Sequence, residues 1–277
     1  MTVPIVLSIA GSDPSGGAGI QADLKTFSAL GAYGTAVITA LTAQNTTGVT
    51  GVHVVPAGFV TEQLETLVAD VSIDAIKIGM LANAEIVAAV AGFLARQCCD
   101  LVVLDPVMVA TSGDRLLSDQ AADAMRRLLP AASVITPNLA EAAVLLDGPV
   151  AASVADMHDQ AHALLALGAQ RVLLKGGHLP GGDSDDGVVG VEMVDVFLGP
   201  EGEHELRGPR VATSNTHGTG CSLSSALAAL RPQRDDWLAS ARDAKAWLTG
   251  ALAAADTLRV GHGHGPVQHF YQFWGEQ

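Results

Sequence analysis

Short apolar runs alternate along the chain with longer segments in which apolar residues recur every three or four positions. Residues 5–10 form an apolar run, which predicts a buried β-strand. Ile20, Leu24 and Phe27 then recur at helical spacing before a second apolar run over residues 33–40. This strand–loop–helix–strand opening predicts a parallel sheet with helices on its faces.

The same alternation continues through most of the chain. Further strands are predicted at residues 52–55, 75–78, 101–104, 134–135 and 172–174, with amphipathic helices between them. A strand pair at 193–198 and 205–211 and a final helix over 237–258 complete the prediction. The glycine- and aspartate-rich stretch at 181–187 reads as an exposed loop, too short to separate two domains. We therefore predict an α/β protein with one domain over residues 1–277.

Composition and charge narrow the classes of function. The chain has 277 residues, 49% of them hydrophobic, which is enough for a large core in one α/β domain. Its formal net charge is −14 with only 15 Lys and Arg residues, so nucleic acid and anionic membranes are poor partners. The three cysteines form no disulfide framework and fit a reducing cytosol. We find no signal peptide or membrane-spanning run, and we expect a cytoplasmic protein.

Polar residues follow three of the predicted strands directly. Asp105, Asn138 and Lys175 each come just after an apolar run. In an open parallel sheet, ligands bind at the carboxyl ends of the strands. We therefore expect these side chains to line one crevice, together with the glycine-rich loops at residues 11–19 and 215–222.

The second of these loops opens directly into a predicted helix. Gly218 and Gly220 let the backbone turn tightly, and a helix N-terminus carries unpaired N–H groups and a partial positive charge. These features suit an oxyanion or a phosphate. Cys221 lies in the same field, so we expect a lowered thiol pKa and a role as base or nucleophile. The alternative is a glycine-rich turn capped by a small buried cysteine.

The charged residues at the strand ends suggest a phosphate site with a metal ion. Asp105 and Glu141 are candidate carboxylates for Mg²⁺, which phosphates plus one or two carboxylates usually hold. Glu141 follows Asn138 by one helical turn, so both can face the same ligand. Lys175 lies between a strand and two glycines, where its ammonium group can sit over nucleotide phosphates. Taken singly, Asp105 could cap a turn and Glu141 could be a solvated charge.

Other catalytic patterns are weaker. A loose dinucleotide-binding fingerprint at residues 17–22 lacks the acidic residue that should follow it and bind the ribose. His217 and Cys221 could suggest a cysteine hydrolase, but no third orienting residue is evident. His262 and His264 have no further ligand at suitable spacing, so the tail around them reads as a structural turn rather than a metal site.

Ordered motifs run through nearly the whole chain. They are Gly11-Ser-Asp-Pro-Ser-Gly-Gly-Ala-Gly-Ile-Gln-Ala-Asp23, Thr42-Ala-Gln-Asn-Thr46, Lys77-Ile-Gly-Met-Leu81, Asp105-Pro-Val-Met108, Thr136-Pro-Asn-Leu-Ala-Glu141, Lys175-Gly-Gly-His178, Asn215-Thr-His-Gly-Thr-Gly-Cys221 and Gly261-His-Gly-His-Gly-Pro-Val267. With these motifs the chain resembles the hydroxymethylpyrimidine/phosphomethylpyrimidine kinases of thiamine biosynthesis, which belong to the ribokinase-like superfamily.

The resemblance implies a fold, a reaction and an assembly. The fold is a three-layer α/β/α sandwich with a mostly parallel central sheet. The reaction uses ATP with Mg²⁺ and has two steps. The first phosphorylates the hydroxymethyl group of 4-amino-5-hydroxymethyl-2-methylpyrimidine, and the second phosphorylates the resulting monophosphate. The family is often dimeric, so a homodimer is expected.

The resemblance also implies roles for individual residues. They are Cys221 as catalytic base; Gly218, Thr219 and Gly220 as anion hole; Lys175, Asn138 and Thr219 as ATP contacts; Asp105 and Glu141 as Mg²⁺ residues; and Gln44, Gly11, Asp23, Met80 and Val107 as the pyrimidine site.

Gln44 is the residue on which substrate choice would depend. Its amide offers a donor and an acceptor in one plane, which match the amino group and ring nitrogen of a 4-aminopyrimidine edge. A site built this way rejects rings without that edge, because its amide would be left unpaired. Gln44 could instead be a solvated loop residue. The alternatives for the whole chain are a pyridoxal, pyridoxine or pyridoxamine kinase on the same scaffold and a ligand-binding regulator.

Overall fold

The computed structural model describes residues 2–97, 99–108, 119–177, 179 and 192–274. The predicted loop at 181–187 lies outside the described residues, as do Cys98 and His178. The strands are β1 Ile5–Ser12, β2 Tyr33–Asn45, β3 Gly48–Val54, β4 Ala75–Ile78, β5 Val102–Leu104, β6 Val134–Ile135, β7 Val172–Leu174, β8 Glu192–Gly199 and β9 Gly202–Pro209. The helices are α1 Gly19–Ala29, α2 Ala57–Val68, α3 Ala84–Leu94, α4 Asp119–Leu128, α5 Leu139–Leu146, α6 Val154–Ala166, α7 Thr219–Leu230 and α8 Trp237–Ala253.

The described strands form one sheet in the order β3-β2-β1-β4-β5-β6-β7-β8-β9. The six strands from β2 to β7 in that order run parallel, whereas β3, β8 and β9 are antiparallel to their neighbours. The short central strands are buried on both faces, as parallel strands covered by crossover helices usually are. The parallel run brings the carboxyl ends of six strands to one edge of the sheet.

Helices cover both faces of the sheet, which confirms the predicted three-layer sandwich. One core lies between the sheet and helices α2 to α6, and the other lies between the sheet and helices α1, α7 and α8. Successive strand residues alternate between these cores: Ile76 and Ile78 of β4 belong to the first, and Ala75 belongs to the second. In the described part of the chain, no helix is long and apolar enough to cross a membrane.

The ends of several elements differ from the prediction. Strand β2 runs to Asn45 rather than to residue 40, because it pairs with β3 as well as with β1. Helix α5 begins with a capping box, in which Asn138 Oδ1 accepts from the Glu141 backbone N–H and Glu141 Oε2 accepts from the Asn138 N–H, each at 2.8 Å. The final helix ends at Ala253, before the predicted residue 258.

Candidate active site

The structure brings the polar residues of the strand ends together at the carboxyl edge of the sheet. Asp105 follows β5, and Asn138 and Lys175 follow β6 and β7, where they form a parallel bridge. Lys175 Nζ lies 3.0 Å from Asp105 Oδ1 and 3.9 Å from Glu141 Oε2. The side chain of Lys175 keeps 14% of its surface exposed, so its ammonium group can turn towards a ligand.

The charges of this cluster determine one another's ionisation. Burial opposes the ionisation of Asp105, but the charges of Lys175 and Lys77 outweigh it and hold its pKa below the usual value. Burial raises the pKa of Glu141 to about 7, and the neighbouring charge of Asp105 adds to the rise. The pKa of Lys175 is raised because Asp105 and Glu141 outweigh the effect of its burial. The cluster therefore contains a fixed cation, a fixed anion and a carboxyl group that can change charge near neutral pH.

The amino end of α7 lies against this cluster. A Cβ placed on Gly220 would be 3.1 Å from Lys175 Nζ and 3.8 Å from Asp105 Oδ2. Gly218 precedes the helix with φ 76°, and a Cβ there would be 1.7 Å from the Gly17 carbonyl oxygen. Only glycine can adopt this backbone and tolerate the approach. The amino end of the helix, with its partial positive charge, therefore lies beside Lys175 and Asp105, at a position that suits an anion.

The thiol of Cys221 differs from the sequence expectation. In this structure, burial raises its pKa to about 11, and the charge of Lys77 and a hydrogen bond from the Gly19 N–H oppose the rise. The expectation of a lowered pKa is therefore wrong in this structure, because desolvation outweighs the field of the helix end. The thiolate needs positive charge near Cys221 if the residue is to accept a proton near neutral pH.

Asp13 organises the glycine-rich loop between β1 and α1. Its carboxylate accepts from the backbone N–H groups of Ser15 at 2.9 Å, Ala18 at 2.8 Å and Gly17 at 3.2 Å. His217 Nε2 lies 2.8 Å from Asp13 Oδ2, which ties this loop to the loop before α7. The sequence pattern predicts no role for Asp13 and suggests only a hydrolase role for His217. The Asp-Pro-Ser-Gly sequence was the available signal, because Asp in such turns binds its own backbone.

The residues predicted to read the pyrimidine lie on the neighbouring strands. Gln44, near the end of β2, is half-buried, with Oε1 3.1 Å from Thr42 Oγ1 and Nε2 3.4 Å from His217 Nε2. Met80 follows β4 and lies beside Gly11, where an added Cβ would be 2.5 Å from Met80 Cε. Val107 is half-buried beyond β5, and its backbone N–H donates to the Asp105 carbonyl oxygen at 2.8 Å. These positions surround the same carboxyl edge, and their roles in substrate binding stay predictions.

Asp23 lies beneath the site rather than on its surface. Its side chain is fully buried, and both carboxylate oxygens lie 2.9 Å from Lys77 Nζ. Ser8 and Ser225 donate to the same carboxylate at 2.6 and 2.7 Å. The family resemblance predicts that Asp23 lies near the pyrimidine ring, but the side chain has no exposed surface with which to contact a ring.

The histidine-rich tail joins two loops at the rim of the site. The backbone N–H of His264 donates to the Thr46 carbonyl oxygen at 3.0 Å, and the N–H of Gly265 donates to Asn215 Oδ1 at 3.1 Å. His217 in turn donates its backbone N–H to Gly265 at 3.0 Å. The tail thus has the structural role that its sequence predicted.

The site therefore combines a helix N-terminus, a lysine and two carboxylates, which are the elements that hold and transfer a phosphoryl group. A sequence model of phosphomethylpyrimidine kinase matches residues 13–268. The chain belongs to this family.

Relatives of the phosphomethylpyrimidine kinase family align over nearly the whole chain. The hydroxymethylpyrimidine/phosphomethylpyrimidine kinase of Escherichia coli strain K12 is 56% identical over 269 residues, covering 97% of this chain and 98% of that protein. The chloroplastic thiamine biosynthetic bifunctional enzyme of Arabidopsis thaliana is 45% identical over 97% of this chain, which spans 50% of that longer protein.

Solved structures of two related kinase types share the fold. The ADP complex of Bacillus subtilis pyridoxal kinase has a TM-score of 0.86 and 34% identity, covering 97% of this chain and 98% of that one. Phosphomethylpyrimidine kinase from Clostridium difficile has a TM-score of 0.77 and 37% identity, covering 90% of this chain and 99% of that one. The same fold is thus shared by both kinase types.

Proposed function

We propose that the protein transfers the γ-phosphoryl group of ATP to the hydroxymethyl group of 4-amino-5-hydroxymethyl-2-methylpyrimidine and then phosphorylates the resulting monophosphate. One observation carries this proposal: the amino end of α7, with Cys221, lies against the cluster of Lys175, Asp105 and Glu141. Family membership and relatives named for both activities support the two steps and their place in thiamine biosynthesis.

The two steps require different chemistry from the same site. The first acceptor is an alcohol, so Cys221 serves as the base that removes its proton. The second acceptor is a phosphate monoester, whose second pKa is about 6, so it is already ionised at neutral pH. In both steps the N–H groups at Gly218, Thr219 and Gly220 stabilise the charge that develops on the transferred phosphoryl oxygens. Lys175 neutralises the phosphates of ATP.

The carboxylates of the cluster fit a magnesium ion that accompanies ATP. Mg²⁺ takes oxygen ligands and is usually held by substrate phosphates plus one or two carboxylates, which Asp105 and Glu141 supply. Asn138 supports them, since it fixes Glu141 through the capping box. The ion would neutralise charge on the phosphate oxygens during transfer. Glu141 has to lose its proton to serve, and its pKa of about 7 lets it do so near neutral pH.

Gln44 selects the pyrimidine in this proposal. Its amide pairs with the amino group and adjacent ring nitrogen of the substrate, and a pyridoxine ring lacks that edge. The second candidate function is a vitamin B6 kinase, which the likeness to pyridoxal kinases supports. A Staphylococcus aureus pyridoxal kinase solved with AMP-PCP and pyridoxal has a TM-score of 0.86 and 32% identity with this chain.

The deciding experiment measures ADP release with hydroxymethylpyrimidine and with pyridoxine in separate reactions containing ATP and Mg²⁺. We expect two ADP per pyrimidine and little ADP with pyridoxine. Preference for pyridoxine would assign the chain to the second candidate function. Tight pyrimidine binding without ADP release would instead indicate a ligand-binding regulator.

We also propose a homodimer formed through the β2–β3 end of the sheet. The apolar side chains of Leu41, Val52, Val54 and Phe59 are 37–53% exposed there, and β3 is one of the two edge strands of the described sheet. An exposed apolar edge strand favours pairing with another chain. Light scattering should give a molar mass twice that of the chain. Val52→Lys should lower the measured mass towards that of a single chain. A monomeric wild-type protein would contradict this assembly.

A further inference from the structure

A lysine and an aspartate form a fully buried ion pair below the floor of the site. Lys77, in the middle of β4, and Asp23, on α1, have 0% side-chain exposure, and both Asp23 oxygens lie 2.9 Å from Lys77 Nζ. Strand alternation sends Ile76 and Ile78 to one core and turns Lys77 towards the other face, which α1 and α7 cover. The pair is thus built into the contact between the sheet and the helix that carries Cys221.

Stability alone does not explain this pair. Removing two charges from water costs several kcal/mol per ion, and well-packed apolar residues are often as stable or more stable in such positions. Asp23 is nevertheless held by the hydroxyl groups of Ser8 and Ser225 as well as by Lys77. The core therefore holds two charged side chains, and the Asp23 carboxylate is fully hydrogen-bonded there. Such an arrangement suggests that the charge has a function.

The face of α7 that carries Cys221 runs directly over this pair. Ser224 and Ser225 follow Cys221 by three and four residues, so the three side chains share one helix face. Ser225 Oγ donates to Asp23 Oδ1 at 2.7 Å, and Ser224 Oγ lies 3.2 Å from Asp105 Oδ2. Cys221 lies one turn closer to the amino end of the helix than these two serines. Lys77 Nζ extends along β4 towards the carboxyl end of the strand, since a Cβ on Gly79 would be 2.9 Å from it.

We propose that Lys77, held in place by Asp23, is a positioning residue that favours negative charge on the Cys221 sulfur. Lys77 does not touch the substrate; it acts through the cysteine. The catalytic part of the inference rests on the proposed function, whereas the effect on the thiol can be tested without any substrate.

Charged groups from four elements surround Cys221. Lys77 on β4 and Lys175 after β7 favour the thiolate, while Asp23 on α1 and Asp105 after β5 disfavour it. Lys77 is the strongest of the charges that act on the thiol. Removing the whole pair should therefore make the thiolate harder to form, whereas neutralising Asp23 alone should make it easier to form. The two variants have opposite expected signs.

The test is the rate of alkylation of Cys221 by iodoacetamide as a function of pH, read from the Cys221 peptide by mass spectrometry. In Lys77→Met combined with Asp23→Asn, the midpoint should rise by about half a pH unit or more, which is about a threefold loss of thiolate below the midpoint. The Asn amide can accept from one of Ser8 and Ser225 through its oxygen and donate to the other through its nitrogen, so both hydroxyl contacts can be kept. In Asp23→Asn alone, the midpoint should fall.

The matched control removes an ion pair at the opposite edge of the sheet. Arg171 precedes β7 and pairs with Glu201 at 2.8 Å, so Arg171→Met combined with Glu201→Gln should leave the midpoint unchanged. An unchanged midpoint in the double Lys77 variant, or a rise in Asp23→Asn, would overturn the proposal. If the double variant fails to fold, the direction of the shift in Asp23→Asn decides alone.

Kinetics link the thiol to the reaction. In the double Lys77 variant, the pH profile of kcat for the alcohol should shift in the same direction as the alkylation midpoint, with the KM for ATP within about twofold of wild type. A merely structural pair would not move the pH profile. Absence of ADP release in the wild-type protein would refute the proposed function and leave the alkylation result valid.

Discussion

Two lysines near Cys221 occupy different surroundings and have different uses. Lys77 is in the middle of a strand, is fully buried and is matched by one carboxylate, Asp23. Lys175 follows the end of a strand, keeps 14% exposure and faces two carboxylates, Asp105 and Glu141. The interior lysine is fixed in place by the core, whereas the strand-end lysine can exchange its protein partners for a ligand.

The difference shows that a residue inside a strand and a residue just past its end play different parts in the site. The first acts on other residues of the site, and the second contacts the ligand. Lys77 lies within a strand, and its side chain points into the core between the sheet and the helices, where it pairs with Asp23. Its charge therefore acts on the site only through space. A residue just past the strand end is free of the pleat and reaches the ligand. Cys221 lies between the two and is influenced by both lysines.

The largest expected effect separates the two phosphorylation steps at Cys221 itself. Cys221→Ala should lower kcat for the alcohol by about 10²–10⁴-fold, the scale of losing a general base, with a modest change in substrate binding. Phosphorylation of the monophosphate should fall by less than about tenfold, because that acceptor needs no base. Single-turnover rates with each acceptor measure this. Near wild-type turnover of the alcohol would remove Cys221 from the mechanism.

Stability distinguishes the two lysines. Lys77→Met alone should lower the free energy of unfolding by about 3–5 kcal/mol, because it leaves the Asp23 charge buried without its partner. Lys175→Met should lower it by no more than about 1.5 kcal/mol, because Lys77, Thr136 and Ser224 still stabilise the Asp105 carboxylate. Glu141, with a pKa of about 7, can in addition take up a proton. Urea unfolding at pH 7 compares them. Equal losses would mean that both lysines are structural.

For activity with ATP, the variant of Lys175 should have the larger effect, the reverse of the order for stability. Lys175→Met should lower kcat/KM for ATP by about 10²–10³-fold, the usual scale for losing one group that stabilises transferred charge. When Cys221 is already replaced by Ala, adding Lys77→Met with Asp23→Asn should not lower the phosphorylation rate further. Adding Lys175→Met to Cys221→Ala should still lower kcat/KM for ATP by about the same 10²–10³-fold. A further loss from the Lys77 variant in that background would show that it acts independently of the cysteine.

The smallest expected effect is at Gln44, which contacts neither lysine. Gln44→Leu should weaken use of the pyrimidine by about 10–100-fold, the scale of leaving a polar substrate edge unpaired, and should change use of ATP little. Kinetics with each substrate varied in turn measure this. Tyr33→Phe, at the exposed start of β2, serves as a control on the same strand and should change neither. Equal losses for both substrates would make Gln44 a structural residue.

The alternation of apolar runs predicted the order of the elements, because burial against a sheet or a helix requires a matching period. It also predicted that Asp105, Asn138 and Lys175 would meet, since parallel strands end at one edge. It did not predict the fixed role of Asn138 and Glu141 as a capping box, although the Asn-x-x-Glu spacing is a known helix-start signal. Nor did it find Asp13, whose partners are mostly backbone N–H groups of its own loop.

The sequence by itself determined the fold, the family resemblance and the residue types that gather at the strand ends, since local patterns and ordered motifs carry that information. Only the tertiary structure decided what surrounds each charge. It placed Asp23 under the site with Lys77 rather than on its surface, and it raised the pKa of Cys221 to about 11 instead of lowering it. Desolvation and charge–charge distances arise from residues far apart in the chain, and no spacing along the sequence contains them.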